Sequence, residues 1–174
     1  LYQLTDGFLE IDNIKFDLNG SIERMDTKAA ESSSYQLDMM VNARNVDIGK
    51  GLELIPAENK KFLVGYTIQG NIDLESRITE ELGNGKFPLI SINYSATDAS
   101  ILQDSTQFSF ENISLKGTYV SKTSLKAFTG SSVHGDLIEV SSYSLSINGD
   151  QLEGNLSLAN LSDPVLQFTA LGEL

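Results

Sequence analysis

The sequence predicts an all-β protein of about eight or nine long, mostly antiparallel strands, and three observations lead to that prediction. Apolar residues recur at every second position over most of the 174 residues, which is the period of a half-buried strand. The positions between them hold Ser, Thr, Asn, Gln, Asp and Glu, as on the wet face of an antiparallel sheet. Only two segments replace the alternation with a helical or glycine-rich pattern. We expect a curved or sandwich-like sheet with one short helix.

Each predicted strand is marked by its own run of alternating apolar residues. The intervening polar positions face the opposite way, because successive side chains of a strand point to opposite faces. In chain order, the alternating runs are Ile14 to Leu18, Tyr35 to Ala43, Tyr66 to Leu74, Ile90 to Tyr94, Ile113 to Tyr119, Tyr143 to Ile147, Leu156 to Leu158 and Leu166 to Phe168.

Two segments interrupt the strands. In "DIGKGLELIPAENKKFL", Pro56 suits the first position of a helix, so we expect the short helix near Leu52 to Leu63. In "TEELGNGKFP", Thr79 is expected to cap one turn before a glycine-rich loop, and Pro88 to open the next strand. Both segments are connections between strands.

Three short motifs predict local backbone changes. Asn148-Gly149 is typical of a type I′ hairpin turn. The apolar parity flips at Asp12-Asn13 and again at Glu111-Asn112, and either a β-bulge or a two-residue turn produces such a flip. We expect a bulge at both sites, because neither pair ends in the glycine that a tight hairpin prefers.

The chain also repeats itself. Four blocks recur in the same order: "LEIDNIKF" with "FSFENISL", "YQLDM" with "YSLSI", "QGNIDLES" with "EGNLSLAN", and "FPLISI" with "DPVLQF". The second copy lacks the helical segment and shortens the glycine-rich loop, as a duplicated sheet unit would. We expect one β-rich domain over residues 1–174, with internal repeats at approximately 1–98 and 99–174.

Composition excludes several classes of function. Twelve Lys and Arg stand against twenty-four Asp and Glu, a net charge of -12, which repels nucleic acid and anionic membranes. The absence of Cys rules out disulfides and thiolate zinc sites. One histidine, His134, is too few for a transition-metal cluster, and we expect it in a loop beside Gly135 rather than in a catalytic triad. We expect no catalytic residues, no metal and no cofactor.

Several segments resemble the AsmA-like proteins of Gram-negative bacterial envelopes: "GFLEIDNIKFDLNG", "GYTIQGNIDLES", "FPLISINYSATDASI", "FENISLKGTY" and "LEGNLSLANLSDPVLQFTALGEL". The resemblance covers essentially the whole chain, which begins at Leu1 and is expected to be a fragment. It implies a periplasmic segment of a larger protein that an upstream helix anchors in the inner membrane. It also implies a non-enzymatic role in phospholipid transport or outer-membrane assembly, through an apolar β-sheet groove. Protein partners are not implied.

An apolar strand face has a physical reason to bind lipid. Each buried CH₂ is worth ~0.8 kcal/mol, so an acyl chain that leaves a bilayer must stay covered by apolar surface. The same alternation also builds the closed core of a sandwich, which leaves a structural or adhesive β-sandwich that binds protein or glycan as the alternative. The candidate contacts for phospholipid acyl chains are Ile14, Phe16, Tyr35, Leu37, Tyr66, Ile68, Ile90, Ile92, Ile113 and Leu115.

Overall fold

A computed structural model describes residues 1–25, 34–54, 60, 63–82, 88–126, 132–160 and 164–172. It contains nine antiparallel strands in a single sheet, ordered as in the chain, so that each strand pairs with the one before and the one after it. The all-β prediction is confirmed. The strands are β1 (Tyr2–Ile11), β2 (Ile14–Met25), β3 (Ser34–Asp47), β4 (Tyr66–Leu82), β5 (Leu89–Gln103), β6 (Phe108–Lys126), β7 (Ser132–Ile147), β8 (Asp150–Ala159) and β9 (Val165–Gly172), with the helix α1 (Ile48–Glu53) after β3.

The sheet is open and has one layer. Within the described part of the chain, strands make substantial contacts only with their neighbours in the sheet, and α1 packs against β3 and β4 at one end. No second sheet lies over either face of the described strands, so the sandwich-like alternative is wrong. Within the described residues, the apolar side chains therefore do not form the core of a closed sandwich.

The strand register sorts the side chains onto two faces, because residues directly opposite each other in a sheet point the same way. We call the face that contains Ile14 the apolar face and the other the polar face. Cross-strand pairs carry the apolar face from β1 to β9: Leu9↔Phe16, Leu18↔Val41, Ala43↔Leu74, Leu74↔Tyr94, Ile92↔Tyr119, Leu115↔Tyr143, Val140↔Leu156 and Leu156↔Phe168.

A line of β-bulges crosses the middle strands. Asn45, Gly70, Asp98 and Asn112 have positive φ, one on each strand from β3 to β6, and each lies at a shift in register. A further shift follows Val140 on β7. Bulges bend a strand and increase its twist, so bulges placed at neighbouring positions bend the sheet along one line.

The bend makes the apolar face concave. Along the middle of β4, the apolar side chains are half-buried and the polar side chains between them are exposed, although no described second layer covers either face. Side chains crowd together on the inside of a curve and spread apart on the outside. The seven buried apolar residues of the described segments all lie on the inside: Ile14, Ala43, Val46, Ala96, Ala99, Ile113 and Val140.

On the apolar face, the rings of two tyrosines lie over glycines of the neighbouring strands. Tyr94 of β5 lies opposite Gly117 of β6, and its hydroxyl donates a hydrogen bond to the carbonyl oxygen of Glu139 on β7, 3.1 Å away. Tyr143 repeats the arrangement over Gly154, donating to a β9 carbonyl oxygen at 3.1 Å. Each ring therefore ties together three strands, and the glycine leaves the space that the ring needs.

The helix is present but earlier than predicted. It spans Ile48–Glu53, whereas the sequence favoured Leu52 to Leu63. The side chain of Asp47 accepts a hydrogen bond from the backbone N–H of Lys50 at 2.9 Å, which caps the helix directly after β3. Pro56, on which the prediction depended, lies outside the described residues.

The glycine-rich connection also differs from the prediction. Thr79 lies inside β4, opposite Leu89, and caps no turn, because the strand continues to Leu82. The loop glycines themselves lie outside the described residues. Leu89, directly after Pro88, begins β5, which agrees with the expectation that Pro88 opens a strand.

The two acid–Asn pairs adopt different structures. Asp12 and Asn13 form a two-residue turn between β1 and β2, with φ of 50° and 64°, so the bulge predicted there is wrong. Asp and Asn enter the left-handed region readily enough to close the hairpin without glycine. Asn112 lies within β6 at a register shift, which confirms the second bulge, and Asn148-Gly149 forms the predicted turn between β7 and β8.

The proposed repeats occupy successive parts of one continuous sheet. The division at residues 98 and 99 falls inside β5 (Leu89–Gln103), which pairs with strands on both sides. The first block pair spans a hairpin in one copy and a single bulged strand in the other. The duplication stays a prediction.

Candidate lipid-binding face

The ten residues selected from the sequence all lie on the apolar face. They lie in pairs on five neighbouring strands, β2 to β6, but not side by side: Tyr35 lies opposite Leu82 at the end of β4, whereas Tyr66 lies at its start. Ile14 and Ile113 are buried among the other side chains of the face, at 4% and 6% exposed. Tyr35 and Tyr66, at 38% and 43%, present accessible aromatic surface. The half-buried members are Phe16, Leu37, Ile68, Ile90, Ile92 and Leu115.

The apolar face extends beyond those ten residues on both sides. Sequence reasoning missed the contribution of β1, because the turn at Asp12-Asn13 reverses which positions of β1 share a face with β2. It also left out the last two strands, although their alternation is visible in the sequence. The added residues on this face with the largest exposure are Tyr2, Leu4, Leu9, Ile11, Ile22, Phe108, Leu166 and Phe168.

A small pit opens on the apolar face where Gly20 carries no side chain. The cavity measures about 190 Å³ and is bordered by Tyr2, Leu4, Ile22 and Met39. An added Cβ on Gly20 would lie 2.9 Å from the Cα of Met39, so the pit depends on the glycine. Its walls are almost entirely hydrocarbon, which suits a methyl or methylene group rather than a polar one.

Polar side chains on the apolar face gather at one end of the sheet, where β2, β4 and β6 finish. Arg24, Glu80, Ser121 and Asp136 lie there. Glu80 is buried, and its Oε2 has no hydrogen-bond partner within the described residues. Burial, together with the charge and hydrogen bond of Asp136, raises the pKa of Tyr119.

The other end of the apolar face is mostly apolar, with Gln103 of β5 between Tyr66 and Phe108. Phe108 and Phe110 pack edge to face with their ring centroids 5.0 Å apart. Tyr66 and Ile68 face the same side from β4, through the register with β5. Along the strand direction, the face therefore changes from a charged end to a mostly apolar end.

The polar face carries charged side chains that are exposed to solvent. Arg77 makes two hydrogen bonds to the Asp38 carboxylate, Nε to Oδ1 at 3.0 Å and Nη2 to Oδ2 at 2.7 Å. These bonds lower the pKa of Asp38, with the charge of Arg77 adding to the effect. A shallow trough of about 460 Å³ nearby mixes both signs of charge, including Arg44, Asp73 and Lys116. Exposed pairs of this kind contribute little to stability.

No group of three or more His, Asp or Glu residues in the described part of the chain is arranged to hold a metal ion. His134 lies within β7, opposite Ser124, rather than in the predicted loop, because the strand continues through Gly135. None of the helices in the described segments is long and apolar enough to cross a membrane.

Comparison of this chain with protein-family models, with curated proteins and with solved structures finds no match.

Proposed function

We propose that this protein is a non-enzymatic cell-envelope protein of AsmA-like type, whose concave apolar face holds phospholipid acyl chains during lipid transport or outer-membrane assembly. The observation that carries the proposal is an apolar face that runs across all nine strands with no described layer over it. The periplasmic location, and the parent protein's anchor in the inner membrane, belong to the same proposal.

An exposed apolar surface of this extent is expected to bind a partner molecule. Soluble proteins rarely expose contiguous apolar patches beyond a few hundred Å², and larger ones mark sites of binding. Tyr35, Tyr66, Leu9 and Phe168 all lie on this one face and are exposed. Covering such a face removes apolar area from water, which is worth roughly 25 cal/mol per Å².

The shape and chemistry of the face suit an acyl chain. A bilayer's hydrocarbon core is about 30 Å thick, so one chain extends roughly 15 Å. Nine strands at a spacing of ~4.8 Å span roughly 38 Å, more than two chain lengths. Outside its charged end, the face offers few hydrogen-bonding groups, and an acyl chain needs none.

The polar face and the net charge favour individual lipid molecules over a membrane surface. The convex side carries the exposed residues Asp73 and Glu75 and the half-buried Asp38. With a net charge of -12, the chain is repelled by anionic bilayers. Lipids would therefore occupy the concave face while the convex face stays in water.

The test compares adjacent residues that point to opposite faces of the central strand. Ile92 lies on the apolar face and Asn93 on the polar face of β5. Protein purified from a Gram-negative host is extracted with organic solvent, and the phospholipid is counted by mass spectrometry. We expect wild type and Asn93→Asp to release phospholipid, and Ile92→Asp to release little, because a carboxylate in the path of the chain would be stripped of water.

Folding is checked by circular dichroism for every variant. Tyr66→Asp replaces Ile92→Asp if the latter does not fold, since Tyr66 is more exposed on the same face. The proposal would be contradicted if the Ile92→Asp and Asn93→Asp variants released equal amounts of phospholipid. A lipid-free wild-type extract, with hits on a glycan array, would instead favour the alternative of a module that binds protein or glycan.

A further inference from the structure

The apolar face holds a buried carboxyl group whose hydrogen bonding is incomplete. Glu80, near the end of β4, is only 6% exposed, and its Oε2 has no hydrogen-bond partner among the described residues. Ser121, buried at the same end of the sheet, accepts the Ile90 N–H at 2.8 Å and donates to the Pro88 carbonyl oxygen at 3.4 Å. Folded proteins pair nearly all of their buried polar atoms, so Glu80 has the capacity to bind a donor from another molecule.

The neighbours of Glu80 on the apolar face are hydrocarbon side chains. Glu80 lies opposite Leu37 of β3. Ile78, the next residue of β4 on the same face, lies between Met39 of β3 and Ile90 of β5. None of these side chains can donate a hydrogen bond to the carboxyl group. The carboxyl group therefore borders the surface proposed to hold acyl chains, where a bound lipid would place its polar headgroup within reach.

We infer that Glu80 binds the primary ammonium group of a phospholipid headgroup, while the acyl chains of the same lipid run from Glu80 along the strands. The inference rests on the proposed function, because the chains must lie on the apolar face. A buried carboxylate is costly without a counter-charge, and an ammonium group supplies a positive charge together with three N–H donors. Charge-assisted bonds of this kind are among the strongest hydrogen bonds in proteins.

This chemistry selects one class of phospholipid. Phosphatidylethanolamine carries a primary ammonium group. Phosphatidylglycerol has no ammonium group, and its negative charge is repelled by a chain of net charge -12. Phosphatidylcholine keeps the positive charge, but methyl groups replace all of its N–H donors. We therefore expect Glu80 to favour phosphatidylethanolamine over both of the others.

The length of β4 suits a lipid that lies along the strands. An acyl chain extends roughly 15 Å, which equals the rise of roughly five strand residues at ~3.3 Å each. A chain that starts beside Glu80 therefore reaches about as far as Ser76, which lies opposite Ile92 of β5. In this orientation the headgroup stays at the charged end of the face, and the chains point towards its mostly apolar end.

Lipid selection from mixed vesicles tests the inference. The 174-residue chain is incubated with vesicles that contain equal amounts of phosphatidylethanolamine, phosphatidylglycerol and phosphatidylcholine. The protein is then separated from the vesicles, and its bound lipid is counted by mass spectrometry. Wild type should favour phosphatidylethanolamine roughly tenfold over phosphatidylglycerol, and roughly threefold or more over phosphatidylcholine.

Glu80→Gln should abolish this selection, because it keeps the shape of the side chain and replaces the carboxylate with a neutral amide. Its total bound lipid should match that of wild type, since the apolar face is unchanged. Glu75→Gln is the matched control: Glu75 is exposed on the polar face of the same strand, and its variant makes the same change of charge and should select like wild type. Circular dichroism checks the folding of both variants, and the wild-type comparison needs neither of them.

Glycerophosphoethanolamine, which has the same headgroup without acyl chains, distinguishes a lipid from a soluble amine. At a concentration equal to that of the vesicle lipid it should displace none of the bound lipid, and displacement would overturn the inference. Wild type that binds the three lipids in equal proportion would also overturn it. So would unchanged selection by Glu80→Gln, or an equal loss of selection in Glu75→Gln. Wild type that binds no lipid at all would contradict the proposed function itself, and the inference with it.

Discussion

Alanine in place of Gly117 should destabilise the sheet, because this glycine leaves space for the ring of Tyr94. A Cβ built on Gly117 overlaps the carbonyl oxygen of Glu139 and the hydroxyl of Tyr94. The Tyr94 hydroxyl donates to that same carbonyl oxygen at 3.1 Å. Gly117 has no positive φ, so alanine causes no backbone strain there and the whole effect comes from crowding.

The magnitude follows from two contributions. Inserting a methyl group into a packed site costs about 1–3 kcal/mol, and losing the tyrosine hydrogen bond costs about 0.5–1.5 kcal/mol. Gly117→Ala should therefore lower the free energy of unfolding by about 1.5–4.5 kcal/mol. Tyr94→Phe alone should cost about 1 kcal/mol, and it should cost much less in the Gly117→Ala background, where the bond is already broken.

Urea unfolding of the two single variants and the double variant measures these values as a double-mutant cycle. Gly51→Ala is the control, since a Cβ there meets Val46 Cγ1 at an ordinary 3.6 Å and alanine favours the helix by about 0.5–1 kcal/mol. The same change of residue should then have opposite signs at the two sites. A Gly117→Ala variant as stable as wild type, or losses that simply add, would refute the role given to the tyrosine ring.

Three further changes test local features of the fold. Asn112 has φ of 52°, so Asn112→Ala should cost about 1 kcal/mol or more and Asn112→Gly little, as thermal melts would show. Ser121→Ala should cost about 1–3 kcal/mol by urea unfolding, because the buried hydroxyl accepts the Ile90 N–H at 2.8 Å. The lowered pKa of Asp38 means that its pairing with Arg77 stabilises the fold above the unfolded-state pKa and is lost as pH falls through the folded-state pKa. Arg77→Gln should therefore flatten stability against pH on the acid side, and an unchanged acid profile would contradict the pairing.

The sequence was sufficient to predict eight of the nine strands, β2 to β9, and the membership of the apolar face from β2 to β6. Period-2 alternation predicted residues such as Ile68 and Ile92 to share a side, and the register places them there. The information is local, because each residue's face follows from its neighbours two positions away. This part of the candidate site needed no knowledge of tertiary structure.

Local sequence was not sufficient to predict the backbone where one motif can adopt either of two conformations. Asp12-Asn13 and Glu111-Asn112 both precede isoleucine, yet the first closes a hairpin and the second bulges within a strand. Asn tolerates the left-handed conformation in either role. The choice depends on whether the chain reverses to pair with itself or continues beside existing strands, and that is a property of the sheet.

Local sequence also could not predict that the described sheet is open rather than part of a sandwich. Alternating residues serve equally well as the inside of a sandwich and as an uncovered concave face. The difference comes from the bulges at Asn45, Gly70 and Asp98, which fall in line only when the strands are paired in register. The helix was misplaced for a related reason: Asp47, which ends β3, also caps α1.

Site-specific fluorescence tests the central claim most directly, because the chain contains no tryptophan. Tyr35→Trp and Tyr66→Trp place single probes on the apolar face, and Leu89→Trp places one on the polar face, where Leu89 is 46% exposed against 43% for Tyr66. Phospholipid with brominated acyl chains is added to each variant. We expect the brominated lipid to quench the tryptophan fluorescence of both apolar-face probes and to leave that of the polar-face probe unchanged. Equal quenching of all three probes, or quenching of none, would contradict it.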